Sequence, residues 1–263
     1  GELGKFTESG LMKFLIAGFG SIGIRHFRNL KELGEKDFVF YRSKLGSLPD
    51  EEIAEYPVEV QLDDALGHNP DVVIVANPTA LHLHVAIPAA KQGCHLFIEK
   101  PLSHSMERVY QLRDIVEKQG NKILIGFQFR FHPQLMRIKQ LLLEHAIGEL
   151  ISVRVEWGEF LPDWHPWEDY RKGYSARRDL GGGVILTLSH PFDYLYWLIG
   201  GINMLWAYTD KVSTLEIDVD AVAEIGFKFD NGVIGSVHLD YIQQPNTHTL
   251  DIVGSKGKIQ WDY

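Results

Sequence analysis

The spacing of apolar positions changes character part-way along this chain. Residues 13–17 are a short apolar run ending at a glycine cluster, which reads as a buried parallel strand feeding a tight turn. Residues 22–33 then have helical spacing closed by Gly34. Strand-like runs follow at 37–41, at 71–76 (rich in Val and Ile), at 95–98 and at 122–126. Helical stretches at 79–93 and 103–119 separate the later runs. Strands alternating with helices predict a parallel, doubly wound sheet.

After Phe129 the pattern differs. Residues 130–144 form a connecting helix after Pro133, and alternating, strand-like segments follow at 150–159, 203–211, 221–229, 233–241 and 247–254. Asp230-Asn231-Gly232 and Ser255-Lys256-Gly257 are tight-turn signals between such segments. Consecutive strands with short turns imply a mostly antiparallel open sheet. An aromatic-rich loop (164–174) and a helix at 183–199 lie between its first two strands. The predicted fold class is therefore α/β, with an N-terminal Rossmann sheet followed by an α+β domain. The expected domains are 12–126 and 127–263, with residues 1–11 read as a tag or loose extension.

Composition narrows the class. With 263 residues, 45% hydrophobic and 23% charged, the chain reads as an ordinary soluble globular protein. A formal net charge of −9 argues against nucleic acid as the main partner, since phosphate neutralisation needs a basic face. No apolar run approaches the ~20 residues needed to span a bilayer, so no membrane partner is expected. The first eleven residues lack the basic start and apolar core of a secretory signal. Cys94, the single cysteine, excludes an internal disulfide and fits a reducing cytoplasm, the expected location. Following Gly93 at a helix-to-strand junction, it reads as a buried structural thiol.

Three segments carry candidate chemistry. In Gly18-Phe19-Gly20-Ser21-Ile22-Gly23, Gly18 permits the turn out of the strand, Gly20 lets backbone approach a pyrophosphate, and Gly23 lets the helix pack close to the sheet. The helix N-terminus then offers N–H groups to the anion. The bland alternative is a glycine-rich turn without ligand. An Asp or Glu roughly 20 residues later normally holds the NAD ribose. Here the position reads Tyr41-Arg42-Ser43-Lys44, in which Arg42 can pair with a 2′-phosphate and stack on adenine while Ser43 donates to the phosphate. That favours NADP over NAD; otherwise these are ordinary surface residues. Asn77-Pro78-Thr79 follows the strongest strand at the ligand-binding edge. His82 lies one turn further on, more as a packing or hydrogen-bond partner than a catalyst.

The second segment is Glu99-Lys100-Pro101. A lysine just beyond a buried strand is costly unless it meets solvent, a carboxylate or a polar ligand. The third runs from Gly181-Gly182-Gly183 to Thr187, His190 and Asp193. On a continuous helix these last three share a face, where His190 can exchange a proton near neutral pH. The twelve histidines show no HExxH spacing, so no metal is expected.

These pieces, together with Gly126-Phe127-Gln128-Phe129-Arg130-Phe131-His132-Pro133, occur in order along nearly the whole chain. The chain resembles the glucose–fructose oxidoreductase/inositol dehydrogenase/rhizopine-catabolism (Gfo/Idh/MocA) family. The resemblance implies a Rossmann domain and an α/β domain whose open sheet supports the substrate site and often oligomerisation, here a homodimer or homotetramer. It implies hydride transfer between NAD(P) and a hydroxyl or carbonyl of a sugar, cyclic polyol or sugar derivative. By position, Lys100 matches the lysine that orients substrate hydroxyl and nicotinamide, and His190 the acid/base histidine. Glu99, Asn77, Pro78 and His82 fall on the cofactor side with Phe19, Ser21 and Ile22. Gln128, Arg130, Tyr174 and Asp193 fall on the substrate side. Thr187 departs from the family's usual aspartate: its hydroxyl can bond a substrate but cannot stabilise an imidazolium by charge. Family members commonly extend tens of residues further, so the end at Tyr263 reads as a truncation or a short variant. Two other functions fit the same motifs. One is a regulatory protein that binds cofactor and sugar without reacting; the other is a redox-neutral glycosidase or lyase that recycles tightly held NAD.

Overall fold

Nearly continuous runs of Val, Ile, Leu and Phe are suited to strands covered on both faces, and the first half of the chain uses them so. A computed structural model describes residues 12–42, 51–164, 166, 168–211 and 214–263. The chain divides into two units, one ending at Gly126 and the other beginning at Phe127.

In the first unit the elements are β1 (Lys13–Ala17), α1 (Ser21–Glu32), β2 (Asp37–Tyr41), β3 (Val58–Glu59), α2 (Leu62–Gly67), β4 (Val72–Val75), α3 (His82–Lys91), β5 (His95–Ile98), α4 (Val109–Gln119) and β6 (Ile123–Ile125). The sheet order is β3-β2-β1-β4-β5-β6, every pair parallel. This is the Rossmann order, with its reversal between β1 and β4, where ligands bind beyond the carboxyl ends of the strands. Alternation along β1 serves two cores. Leu15 and Ala17 pack with Val73, Leu96 and the α3 residues Leu83, Ala86 and Ala90. Phe14 and Ile16 pack with Phe38, Phe40 and the α1 residue Phe27.

The second unit contains α5 (Pro133–Leu143), β7 (Leu150–Gly158), α6 (Val184–Thr187), α7 (His190–Ile199), β8 (Ile202–Asp210), β9 (Val222–Phe229), β10 (Ile234–Asp240), β11 (Thr247–Gly254) and β12 (Gly257–Asp262). Its sheet order is β12-β11-β7-β10-β9-β8. All pairs are antiparallel except the central β7–β10 pair, so the sheet is mostly antiparallel. Parallel neighbours need a long crossover, and the excursion from residue 159 to 233 supplies it. Inward positions Val153, Val155, Trp157, Ile225, Phe227, Val237, Leu250 and Ile252 pack against Tyr194, Leu195 and Leu198 of α7 and Leu135 and Ile138 of α5. On the alternate face, His238 lies 2.7 Å from Glu224 and 2.9 Å from Asp240. The hydrogen bond to Asp240 leads the effects that hold its pKa up at about 9.

Several elements differ from the sequence reading. The helix expected at 103–119 begins only at Val109, because Arg108 takes a left-handed conformation (φ 64°) and Ser105 N–H turns back to the Ser103 hydroxyl. The helix expected at 183–199 is broken at Leu188-Ser189 into α6 and α7. Pro191 lacks the N–H that would bond the Thr187 carbonyl, and its ring would clash with that carbonyl in a continuous helix. Placing Thr187, His190 and Asp193 on one helical face is thereby corrected: His190 and Asp193 share α7, whereas Thr187 ends α6. Strands β3 and β12 and helix α2 were not anticipated. Among the described residues no helix is long and apolar enough to cross a membrane.

Candidate functional site

The glycine turn has the form an anion cradle requires. Gly18 has φ 98°, and a Cβ there would stand 2.6 Å from the Asn77 backbone nitrogen. A Cβ on Gly23 would collide with the Gly18 carbonyl oxygen, so only glycine lets α1 start so close to the turn. The Cβ direction of Gly20 points into open space, with no heavy atom within 4 Å. No side chain caps α1 and its first turn carries no acidic residue, leaving the first amides and the positive dipole end for an anion. Ser21 and Ile22 occupy that first turn. These residues fit a dinucleotide pyrophosphate.

At the end of β2, Arg42 is buried, its guanidinium 5.6 Å from the centre of the Phe19 ring. Its backbone N–H bonds the Glu59 carbonyl, which continues the pairing with β3 beyond the end of β2. Ser43 lies outside the described residues.

The Lys100 turn leaves β5 at the same sheet edge, and the peptide from Lys100 to Pro101 is cis. Glu99 lies 2.6 Å from His26 Nε2 and accepts from the Lys100 N–H at 3.3 Å. His82 is 1% exposed. Its Nε2 lies 2.9 Å from the Asn77 carbonyl and its Nδ1 3.0 Å from the Pro101 carbonyl. Burial pulls its pKa down, toward the neutral ring, against the opposing pull of those carbonyls. A neutral ring has one N–H, so it donates to one carbonyl and only its lone-pair nitrogen faces the other. With both nitrogens facing backbone, His82 reaches a ligand only through the two turns it touches. Sequence reasoning missed His26; its one signal was position, one turn into the helix after Gly23.

In the second unit, His190 opens α7 and is 3% exposed. Its ring is boxed by Phe127 at 5.7 Å, Phe129 at 4.8 Å and Trp157 at 5.9 Å. Trp157 also stacks on His248, at 4.0 Å and 3°. Thr187 is buried and meets the Tyr241 hydroxyl. The glycines before α6 are filled by the chain itself: a Cβ on Gly182 would strike the Tyr174 and Ser175 carbonyls, and one on Gly183 the Asp220 carboxylate. Arg130 and Asp193 meet each other through Nε to Oδ2 at 2.9 Å and Nη2 to Oδ1 at 2.7 Å. Gln128 and Tyr174 are exposed.

Two family models match this chain. One, described as the oxidoreductase family with NAD-binding Rossmann fold, covers residues 12–127; the other, the GFO/IDH/MocA C-terminal domain, covers residues 135–260. Levoglucosan dehydrogenase of Pseudarthrobacter phenanthrenivorans is 27% identical, the match covering 73% of this chain and 55% of that protein. Myo-inositol 2-dehydrogenase of Thermotoga maritima is 25% identical over 94% of this chain and 74% of its own length. The chain thus spans little more than half the length of the first curated relatives it matches. Among solved structures, the WlbA dehydrogenase from Bordetella pertussis in complex with NADH and UDP-GlcNAcA has a TM-score of 0.85 at 22% identity, covering 96% of this chain and 78% of that one. That likeness is one of fold. The two family matches together span nearly the whole chain, which belongs to the Gfo/Idh/MocA family of oxidoreductases.

Proposed function

We propose that this chain is an NAD(P)-dependent oxidoreductase that moves a hydride between nicotinamide and a hydroxyl or carbonyl carbon of a sugar, cyclic polyol or sugar derivative. The observation that carries this reading is Lys100, set on a turn beyond β5 at the sheet edge that also holds the open Gly20 cradle. Names of relatives, levoglucosan and inositol dehydrogenases, support the substrate class. A bound nicotinamide supplies the hydride acceptor in the oxidation direction. Lys100 holds the developing alkoxide by charge and fixes the orientation of its carbon. His190 takes the hydroxyl proton, a role worth about 10²–10⁴ in rate. Thr187, whose hydroxyl meets that of Tyr241, contributes polarity without charge to the same machinery. On the substrate side, Gln128, Arg130, Tyr174 and Asp193 are contact residues, Arg130 and Asp193 being already paired with each other.

NADP is the preferred cofactor in this reading, because Arg42 puts a guanidinium where NAD enzymes carry a carboxylate. Titration should show NADPH binding about tenfold or more tighter than NADH, with Arg42→Ala removing the difference; tighter NADH binding would overturn the preference. For activity, absorbance at 340 nm is followed with either cofactor over myo-inositol, levoglucosan, D-xylose and UDP-GlcNAcA. Lys100→Ala should abolish turnover while NADPH binding stays within a few-fold; normal turnover in that variant would refute the role. The uncharged Thr187 favours one second reading, a regulatory protein that binds cofactor and sugar. Tight NADPH binding with no turnover of any panel member would select it. The exposed Met204, Leu205, Trp206 and Tyr208 on edge strand β8 support a homo-oligomer, which sedimentation reads directly.

A further inference from the structure

The turn bearing Lys100 is held on both sides by histidines that take no part in the proposed proton and hydride transfers. On one side, His26 of α1 reaches the carboxylate of Glu99 at 2.6 Å. The Glu99 carboxylate also sits close over Gly126, the residue after β6: a Cβ there would stand 3.2 Å from both its oxygens. The His26 ring rests against Phe97 at 4.8 Å, which fixes the plane from which it bonds. On the other side, His82 at the start of α3 places Nδ1 3.0 Å from the Pro101 carbonyl and Nε2 2.9 Å from the Asn77 carbonyl. His26 ties the Lys100 turn to α1, the helix that starts at the glycine turn, and His82 is wedged between it and the Asn77-Pro78 turn after β4, bonded to one and lying against the other.

We propose that His26 and His82 are positioning residues that set the placement of Lys100 relative to the cofactor-facing turns, an inference that rests on the role given to Lys100 above. The physical need is plain. A lysine has a long, flexible stem, so the aim of its ammonium depends on a fixed backbone beneath it. Misplacement by about 1 Å can cost roughly 10² in rate. Neighbours fixed from both sides leave the Lys100 backbone few alternative conformations. Neither histidine is close to solvent in the manner of a proton shuttle: the His26 side chain is 18% exposed and His82 is 1% exposed.

The test uses His26→Leu, His82→Leu, His26→Gln and Lys100→Ala in the full chain, each checked for folding by thermal melt and NADPH titration. Two readouts follow: steady-state kinetics on whichever panel compound the wild-type chain turns over fastest, and trace labelling of the Lys100 amine with acetic anhydride across pH 7–10. In the leucine variants kcat should fall about tenfold or more, with KM and NADPH affinity within about threefold. Lys100 labelling should change about threefold in the same variants, because the amine sits in an altered environment. His26→Gln, whose amide still donates to Glu99, should restore most of both signals. A merely structural role would lower the melting temperature and leave kcat and labelling of the folded protein unchanged. Folded leucine variants with kcat within twofold of wild type, or with wild-type labelling, would overturn the proposal. If His82→Leu fails to fold, the two His26 variants decide. Wild-type turnover by Lys100→Ala would instead defeat the role of Lys100, while labelling still reports the two-sided hold on its own.

Discussion

His248 gives the second unit a specific sensitivity to acid. It is 4% exposed on β11, stacked on Trp157 at 4.0 Å, with Trp261 at 4.9 Å and Phe129 at 5.3 Å. Its Nε2 lies 3.3 Å from the hydroxyl of the fully buried Tyr194. Burial, aided by the nearby His132, pushes its pKa down to about 3 from the ordinary 6.5. Between those values the unfolded chain holds a proton that the folded chain refuses. Stability from this residue is therefore complete above pH 6.5 and is lost as pH falls through the window toward 3. Each pH unit inside it costs about 1.4 kcal/mol, so acidifying from pH 7 to 5 removes about 2 kcal/mol.

His248→Phe keeps an aromatic ring in the stack and cannot be protonated. It strands the Tyr194 hydroxyl, at a cost of about 1–3 kcal/mol that does not depend on pH. The variant should be the less stable protein at pH 7, and the gap should close or reverse by pH 5. Urea unfolding at fixed pH values reads the difference. All six tryptophans lie at residue 157 or later, so their fluorescence reports the second unit alone. Histidines common to both proteins cancel in the subtraction. If wild type and variant lose stability in parallel between pH 7 and 5, the burial argument for His248 is wrong.

His238 between Glu224 and Asp240 is raised to about 9, so its contribution is complete below pH 6.5 and lost as pH rises through 9. His238→Gln should flatten the alkaline limb of the stability curve, and an unchanged limb in urea titrations at pH 7 to 9.5 would count against the pairing. Arg130→Met leaves the Asp193 carboxylate, 10% exposed, without its partner, and should cost about 2–4 kcal/mol. Adding Asp193→Leu should recover part of that loss, which a double-mutant cycle measures. Gly23→Ala sets a methyl group against the Gly18 carbonyl and should weaken NADPH binding about tenfold or more by displacing α1, as read by fluorescence titration.

Much of the first unit was legible because its signals are local. The runs at β1, β4 and β5 are too apolar for a one-sided strand, and Gly93 marks the end of the helical stretch through α3. The break between α6 and α7 was also written locally, in Pro191, but the apolar spacing either side of it masked the signal. Strand β12 had one too, in the alternation of Ile259 and Trp261 after the Ser255-Lys256-Gly257 turn. Contacts made across the fold were not legible. The parallel pairing of β7 with β10 joins Val155 to Val237, and His26 finds Glu99 73 residues away. Neither partner carries a spacing that names the other. The Trp157–His248 stack is of the same kind: each residue reads as an inward position, and only the β7–β11 register sets one upon the other.

The two glycine clusters show where the limit lies. Both read as places where backbone must come close to something, and in both the absence of a side chain is required by geometry. At Gly18 and Gly23 the neighbours are the chain's own backbone, and the consequence is an opening at Gly20 with nothing within 4 Å. At Gly182 and Gly183 the neighbours are the Tyr174 and Ser175 carbonyls and the Asp220 carboxylate, which leave no opening where the Cβ atoms would stand. At these four glycines a Cβ is forbidden; whether the space beside them belongs to a ligand or to the protein depends on what the fold brings to it. For that reason the cradle at α1 supports a cofactor, whereas the glycines before α6 act by seating the helix that leads to Thr187 and His190. What orients the His190 ring is its aromatic box of Phe127, Phe129 and Trp157 rather than the glycines that precede it.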